Sequence, residues 1–382
     1  MRNEATSRPT AQAGDVSRRG FLAAAGGAAA VAAVTGGPGA PGAAAAPATR
    51  EEKLKRLASN CWSVRHLFKT REFPERPGMT DEQKKRREQF RQERDTWRKK
   101  YGEITLLDFP QFTRDTYPGV TKMDLFSGHF GDIADDSQFL KAEFGGEPRP
   151  GDFDPSQPSS KKYLDRLAEA IAKTGVRAAH ISNNAPRNLA DLDEAKRREG
   201  IQVAKHWLDG AAQIGAISMR CNTGGPRLIP AAQVDPELGY PMNKELVPHI
   251  RKAIESFREL ADHGEKVGVK VTIENHWGIA ADPMTIRIII QEVASPFCEA
   301  SPDFCNWEHE YMLYHGLEVL APFSSTMVHA KRWTRFPDVD IARCVRIMTN
   351  AGYRGYFAVE FEEQSDGVEG SKRIMEEVLA AL

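Results

Sequence analysis

Four segments between Lys270 and Glu363 carry side chains suited to holding a cation. They are Val271-Thr-Ile-Glu274-Asn-His276-Trp-Gly, Ser301-Pro-Asp303-Phe-Cys-Asn306, Met327-Val-His329-Ala-Lys331 and Phe357-Ala-Val-Glu360-Phe-Glu-Glu. Three are short apolar, β-branched runs ending on a metal-competent side chain; the second is shorter and less apolar. Glu274, Asp303, His329 and Glu360 follow one another at intervals of 29, 26 and 31 residues. A (β/α)₈ barrel spends roughly 250 residues on eight strand–helix units, about 30 per unit. The intervals therefore place the four residues at the C-terminal ends of four successive strands, the face where such barrels do chemistry. Three carboxylates and an imidazole converging there suit one divalent cation. The oxygen set leans toward Mn²⁺ or Mg²⁺, and the imidazole admits Zn²⁺, Co²⁺ or Fe²⁺. Taken singly, each residue reads as a polar strand cap; all four in register with the barrel period read as one site.

The rest of the chain must build that barrel. It has 382 residues, 41% hydrophobic and 27% charged, with a net charge of −1. That suffices for one large core and an extension. Near-zero charge speaks against a general nucleic-acid binder, which is basic. Five cysteines without a CxxC pair give neither a disulfide framework nor a zinc ribbon. Cys221, Cys298, Cys305 and Cys344 read as core thiols.

Residues 1–48 read as a twin-arginine export signal. Ser17-Arg18-Arg19-Gly20-Phe21-Leu22 precedes an Ala/Gly/Val run to about Thr35, and Ala46-Pro-Ala48 fits the small-x-small cleavage rule. The apolar run is too short and too rich in Gly and Ala to span a membrane. Export to the periplasm or medium is the expected location.

Residues 49–382 then alternate strands and helices in an α/β pattern with no second domain. Strands are expected at 57–63, from 120, at 176–182, 216–222 and 269–274, before Asp303, at 326–330 and at 356–360. A charged helical insertion, about 66–103, follows the first strand; in it, Thr80 caps a helix to Lys100. Thr105 is expected to cap the first barrel helix, and later helices are expected over 161–174, 194–213, 243–267, from 283, and over 308–320, 338–349 and 370–382.

With these elements in place, the chain from about 57 to 382 resembles the xylose-isomerase-like TIM barrels, the superfamily of sugar isomerases and epimerases and of endonuclease-IV-like enzymes. The carrying motifs are Ile-Glu274-Asn-His, Asp303-Phe-Cys-Asn306, His329-Ala-Lys331 and Val-Glu360. The resemblance implies a single (β/α)₈ barrel whose one divalent metal, Mn²⁺ first and Mg²⁺, Co²⁺ or Zn²⁺ after it, is bound by Glu274, Asp303, His329 and Glu360. It also implies that Glu274 and Glu360 serve as acid and base. Two departures stand out. Ketohexose 3-epimerases carry a His where this chain has Asn306, and an Arg six residues after the histidine, here Arg335 if the loops align. The nucleases need three metals and further histidines, and Asn183-Asn184 ends strand three instead.

The chemistry expected is proton abstraction beside a sugar carbonyl through an enediolate that the metal stabilises. A metal-bound carboxylate is a weak base, so a second candidate is needed. Lys331 shares the face of His329 by strand parity, and a nearby cation would lower its pKa toward base function; pairing with Glu362 is the other reading. His276 shares the face of Glu274 by the same parity and reads as a substrate contact, a proton donor or a support for Glu274. Trp277 and Trp62 offer an aromatic wall. His129, Asn183, Asn184, Arg220, Asn222 and Asn306 are expected to line the pocket, and His180 to sit in the barrel wall. Asn306 cannot transfer protons, so elimination from a keto-sugar or 3-keto-glycoside, with Lys331 as base and His276 as acid, stands beside isomerisation and epimerisation. An endonuclease-IV-like phosphodiesterase and a metal-stabilised sugar-binding protein without turnover are the alternatives. The expected partner is a small carbohydrate, with no nucleic acid and no membrane span; self-association as a homo-oligomer stays open.

Overall fold

A computed structural model describes residues 48–71, 78–140, 152–226 and 246–382. The export signal lies outside the described residues. Eight strands run in parallel: β1 (Leu57–Asn60), β2 (Lys122–Phe126), β3 (Arg177–Ser182), β4 (Ser218–Arg220), β5 (Lys270–Ile273), β6 (Cys298–Ala300), β7 (Met327–Trp333) and β8 (Tyr356–Glu362). Hydrogen bonding follows the order β6-β5-β4-β3-β2-β1-β8-β7. The ring closes between β6 and β7 through one isolated parallel bridge, Asp303 to His329. There the His329 amide donates to Pro302 O and the Phe304 amide to His329 O, both at 3.1 Å. The chain is thus an α/β TIM barrel.

Helices cover the outside. They are α1 (Arg50–Leu54), α2 (Asp81–Tyr101), α3 (Phe109–Thr116), α4 (Pro158–Thr174), α5 (Glu194–Gln213), α6 (Leu246–Val267), α7 (Pro283–Val293), α8 (Met312–Leu320), α9 (Ile341–Asn350) and α10 (Gly367–Ala381). Side-chain caps start several of them: Thr80, Asp193, Asp282, Asp340 and Asp366 each accept a first-turn amide. Thr105 is not such a cap. Its amide and hydroxyl both donate to Asp108, so a turn precedes α3, which starts four residues after Thr105. Likewise α8 and α9 start at Met312 and Ile341, three or four residues later than expected, because 308–311 form bends and a turn and Asp340 caps α9.

Alternation along the strands decides what fills the barrel. The lower lumen is closed by small or flexible apolar residues, Ala58, Ala179, Met327 and Ala358, all fully buried. One step higher the inward positions turn polar. Ala58 gives way to Asn60, Met327 to His329 and Ala358 to Glu360. Between β2 and β3 the register skips Ala179, pairing Met123 with Ala178 and Asp124 with His180. Such a bulge re-aims the residues after it; here it accompanies the inward placement of Asp124, His180 and Ser182. The five cysteines are free and buried. Among the described residues no helix is long and apolar enough to cross a membrane.

Candidate active site at the strand C-termini

Each polar side chain of the upper lumen is fixed by its neighbours. Asn275 clamps the backbone of Asp303: its Oδ1 accepts from the Asp303 amide at 2.7 Å and its Nδ2 donates to Asp303 O at 3.0 Å. Asp303 Oδ1 accepts the amides of Cys305 and Asn306 at 2.6 and 2.9 Å. Asp303 Oδ2 is buried and makes no hydrogen bond. His329 Nε2 lies 2.8 Å from Asp124 Oδ2, and a carboxylate only accepts, so Nε2 carries a hydrogen. His329 Nδ1 is buried without a hydrogen bond, 3.4 Å from Glu274 Oε2. Ligand atoms of Glu274, Asp303 and His329 all lie within 4.8 Å of one another.

Two orphaned buried atoms facing a carboxylate are what a cation site presents when no ion is placed in it, since buried polar atoms otherwise find partners. The donor set, two oxygens and one imidazole nitrogen, fits a divalent first-row cation. The rest of the support follows the same logic. Asp124 fixes the His329 ring from behind, as a carboxylate does for a histidine that binds a metal through its other nitrogen. Asp124 is itself held by Ser182 Oγ at 2.9 and 3.0 Å and by Asn60 Nδ2 at 2.9 Å. Asp124→Asn removes that charge without changing shape, and such changes cost metal affinity about 10–100-fold. A calorimetric titration of Mn²⁺ into the variant checks this; affinity equal to wild type rejects the role. Asp124, His180 and His329 also form a second mutually close set. There, however, Asp124 and His329 are already bonded to each other, and His180 Nδ1 is paired with Ser218 Oγ at 2.8 Å.

Glu360 stands apart from the three close ligand atoms. Its Oε1 pairs with Lys331 Nζ at 2.8 Å and its Oε2 accepts from Asn60 Nδ2 at 3.2 Å. Lys331 is 3% exposed and uses all three hydrogens: on Glu360, on Glu362 Oε2 at 2.6 Å and on Asn306 Oδ1 at 3.1 Å. Asp303 Oδ2 lies 3.8 Å away. Burial pushes Lys331 down, but Glu360, Asp303 and Glu362 outweigh it and hold the side chain well above its ordinary range. The other expectation for Lys331, pairing with Glu362, is what the geometry shows. The carboxylates around Lys331 determine its state, and it is an ammonium.

The other charges follow from the same neighbours. Burial pushes Glu274 up, yet Arg220 and His329 hold it well below the usual carboxylate range. Arg220 Nη1 donates to Glu274 Oε2 at 2.6 Å, and Asn306 Nδ2 donates to Oε1 at 2.7 Å. Burial, with Glu360 and Glu274 nearby, raises Asp303 against the pull of Lys331. His329 resists burial because Glu274 and Asp124 favour its proton, and it rises to about 10. His276 is pushed down to about 3 by burial, then by Arg220, so its ring is neutral.

A cavity of about 160 Å³ is lined by Asn184, Arg220, His276, Trp277, Asn306, Lys331 and Glu360; Glu274, Asp303 and His329 are not among its lining residues. Trp62, Phe126, Trp333 and Glu362 complete its aromatic and acidic wall. A larger cavity, about 720 Å³ beside Asp132, Gln138, Tyr163 and Arg166, shares no residue with it. Three residues expected in the lining stand elsewhere. The short 3₁₀ turn Ser127–His129 carries His129 away, and its ring stacks on Phe68 with centroids 4.0 Å apart. Asn183 spends its side chain on Ala185, accepting from the amide at 3.0 Å and donating to the carbonyl. Asn222 Nδ2 reaches Asn183 O at 3.4 Å and Asn184 Oδ1 at 3.5 Å, behind the cavity wall. His180 sits fully buried in the barrel interior.

Residues 140–381 match the sequence profile of a family described as xylose isomerase-like TIM barrel. No curated protein sequence gives a significant match. Solved structures share the fold at low identity. A 3-keto-D-glucoside 4-epimerase from E. coli is 12% identical with a TM-score of 0.50, over 82% of this chain and 98% of that one. A D-allulose 3-epimerase from Methylomonas sp. is 12% identical with a TM-score of 0.51, over 72% and 92%. An L-ribulose 3-epimerase is 14% identical with a TM-score of 0.52, over 72% and 89%.

Proposed function

We propose that this chain, which belongs to the xylose isomerase-like TIM barrel family, is a divalent-cation-dependent enzyme that moves a proton on the carbon next to a sugar carbonyl, as an isomerase or epimerase. The observation that carries the reading is the pair of orphaned buried atoms, Asp303 Oδ2 and His329 Nδ1, beside Glu274. Glu274, Asp303 and His329 would hold the cation, with Glu360 across the cavity as the fourth ligand. Bound there, a divalent cation supplies Lewis-acid polarisation of the carbonyl oxygen. Solved structures of this fold named as keto-glucoside 4-epimerase, allulose 3-epimerase and ribulose 3-epimerase agree with the reading.

The chain's own residues do the rest. Glu274 and Glu360 take and return the proton. Arg220 and Asn306 fix the two oxygens of Glu274; Lys331 and Asn60 fix those of Glu360. The Lys331 donors are all consumed, and Arg220 Nε and both Nη atoms are engaged by Asn183, Glu274 and Asn184. An anionic substrate would meet Glu362 and Glu360 without a free cation from either side chain. That favours an uncharged sugar over a sugar phosphate.

Deuterium wash-in from D₂O, run on a panel of keto-sugars and keto-glycosides with chelated and Mn²⁺-reconstituted protein, tests the proposal. Exchange that needs the cation supports it; loss of the β-substituent with exchange selects elimination. No exchange and no elimination on any member would sink the enzyme reading. The cation should also compete with protons. His329 in the metal-free protein keeps its proton up to about pH 10, and a cation at Nδ1 must displace it. Apparent Mn²⁺ affinity is expected to fall as pH drops below that value, about tenfold per unit for each proton displaced. Calorimetry in buffers of different ionisation heat reads the protons released; zero release contradicts His329 as a ligand.

We also propose that residues 1–48 direct export by the twin-arginine route and are removed. An intact Met1 on active cytoplasmic protein would contradict this.

A further inference from the structure

A small polar ligand is read by the hydrogen-bonding capacity that the cavity wall has not spent on itself. Most of that capacity is spent. Asn60 accepts from the Trp62 amide at 2.7 Å and donates to Asp124 and Glu360. Ser182 Oγ sits between Asp124 and His329, at 2.9 and 3.2 Å. Every side-chain nitrogen and oxygen of Arg220, Asn306, Lys331 and Glu360 holds a protein partner. Three wall residues differ. Among the described residues, His276 makes no hydrogen bond through either ring nitrogen, Asn184 makes none through Nδ2, and Glu362 makes none through Oε1. None of these atoms is sealed inside the protein.

The partners of these residues fix what each one presents. A guanidinium only donates, so the Asn184 atom 2.6 Å from Arg220 Nη2 is the amide oxygen, and the amide nitrogen is left as a donor. The neutral His276 ring offers one donor and one acceptor. An ammonium also only donates. One Glu362 oxygen takes the Lys331 bond at 2.6 Å, and the other stays an acceptor. Glu362 also stands highest. Ala358, Glu360 and Glu362 share one face of β8 and climb from the closed lower lumen to the cavity wall. The Glu362 side chain is 23% exposed, against 11% for Glu360. Hydroxyls, which donate and accept, match all three residues, whereas a carboxylate or phosphate sets negative charge against Glu362.

We infer that Asn184, His276 and Glu362 read the hydroxyls of the substrate, and that Glu362 sets specificity by accepting a hydroxyl where it bars a carboxylate or phosphate. The inference rests on the sugar reading of the site, and its test separates the two. Mn²⁺-loaded protein, freed of unbound Mn²⁺, is titrated calorimetrically with matched pairs: fructose and fructose 6-phosphate, ribulose and ribulose 5-phosphate, glucose and glucuronate. At least one neutral sugar should bind about tenfold or more tightly than its anionic partner, because like charges in contact inside a protein repel by more than that. In Glu362→Gln the amide oxygen must stay on Lys331, so a donor nitrogen replaces the free acceptor and the charge is gone. The neutral-to-anionic affinity ratio should then fall about tenfold. Glu362→Asp keeps the charge and should keep the ratio, and His276→Ala should weaken both partners alike. An unchanged ratio in Glu362→Gln, an equal fall in Glu362→Asp or His276→Ala, a wild type without the preference, or no binding by any neutral sugar overturns the inference. If neutral keto-sugars exchange deuterium while the ratio ignores Glu362, the enzyme reading stands and this assignment falls. If the ratio depends on Glu362 and no substrate exchanges, the assignment stands and the enzyme reading falls.

Discussion

Protein carrying His329→Ala is expected to retain no Mn²⁺ after dialysis and to lose on the order of 10³-fold in turnover. A cation that polarises a carbonyl is worth several kcal/mol of transition-state stabilisation, and each 1.36 kcal/mol is about tenfold in rate. His329 is the one nitrogen in the ligand set and the residue shared by both clusters of mutually close ligand atoms. The substitution also leaves Asp124 buried with only Ser182 and Asn60 as partners, so stability falls as well. Glu274→Gln provides the companion measurement, because it keeps the shape while removing the charge, its single amide oxygen accepting from only one of Arg220 and Asn306. Elemental analysis of both variants decides the matter; full occupancy in both would rule out the assigned site.

Lys331→Met should show a different signature, in stability more than in binding. The ammonium is the shared counter-charge of Glu360, Glu362 and, at longer range, Asp303. Removing one partner of a buried ion pair costs about 3–5 kcal/mol because the remaining charge is left uncompensated. In the metal-free protein that is a fall in Tm on the order of 10 °C. Added Mn²⁺ supplies positive charge beside the same carboxylates and should restore most of the loss. Calorimetric scans with and without Mn²⁺ test this. A metal-free variant as stable as the wild type would mean that the carboxylates do not depend on the ammonium.

The sequence carried the barrel, and the nearness of Glu274, Asp303 and His329 to one another, because both follow from spacing. Strand–helix units repeat at a nearly fixed length, so Glu274, Asp303, His329 and Glu360 fall on or just after four successive strands. What spacing does not carry is the partner of each side chain. Asp124 lies inside the apolar run Met123-Asp-Leu125, and a charge there was the available sign that it faces the lumen and not the helices. Asn60, at the end of β1, and Asn275, one residue past Glu274, gave no sign of their own, because their roles depend on strands distant in sequence. Strand parity placed Lys331 beside His329, but its protonation is decided by Glu362 and Glu360 on β8. His129 was expected in the lining from its place after β2, but a 3₁₀ turn there carries its ring onto Phe68.

The single bridge between Asp303 and His329 gives the barrel a seam. Every other neighbouring pair of strands is joined by a ladder of at least two registered residues. This one is held by the two amides at Phe304 and His329. The residues that flank the seam are the ones whose side chains would grip the cation. A cation held there would reinforce a closure that two hydrogen bonds already make, and without it the barrel is expected to breathe first along this line. Substrate chemistry and mechanical closure share the same few atoms, so a change that loosens the seam registers as lost activity before it registers as unfolding.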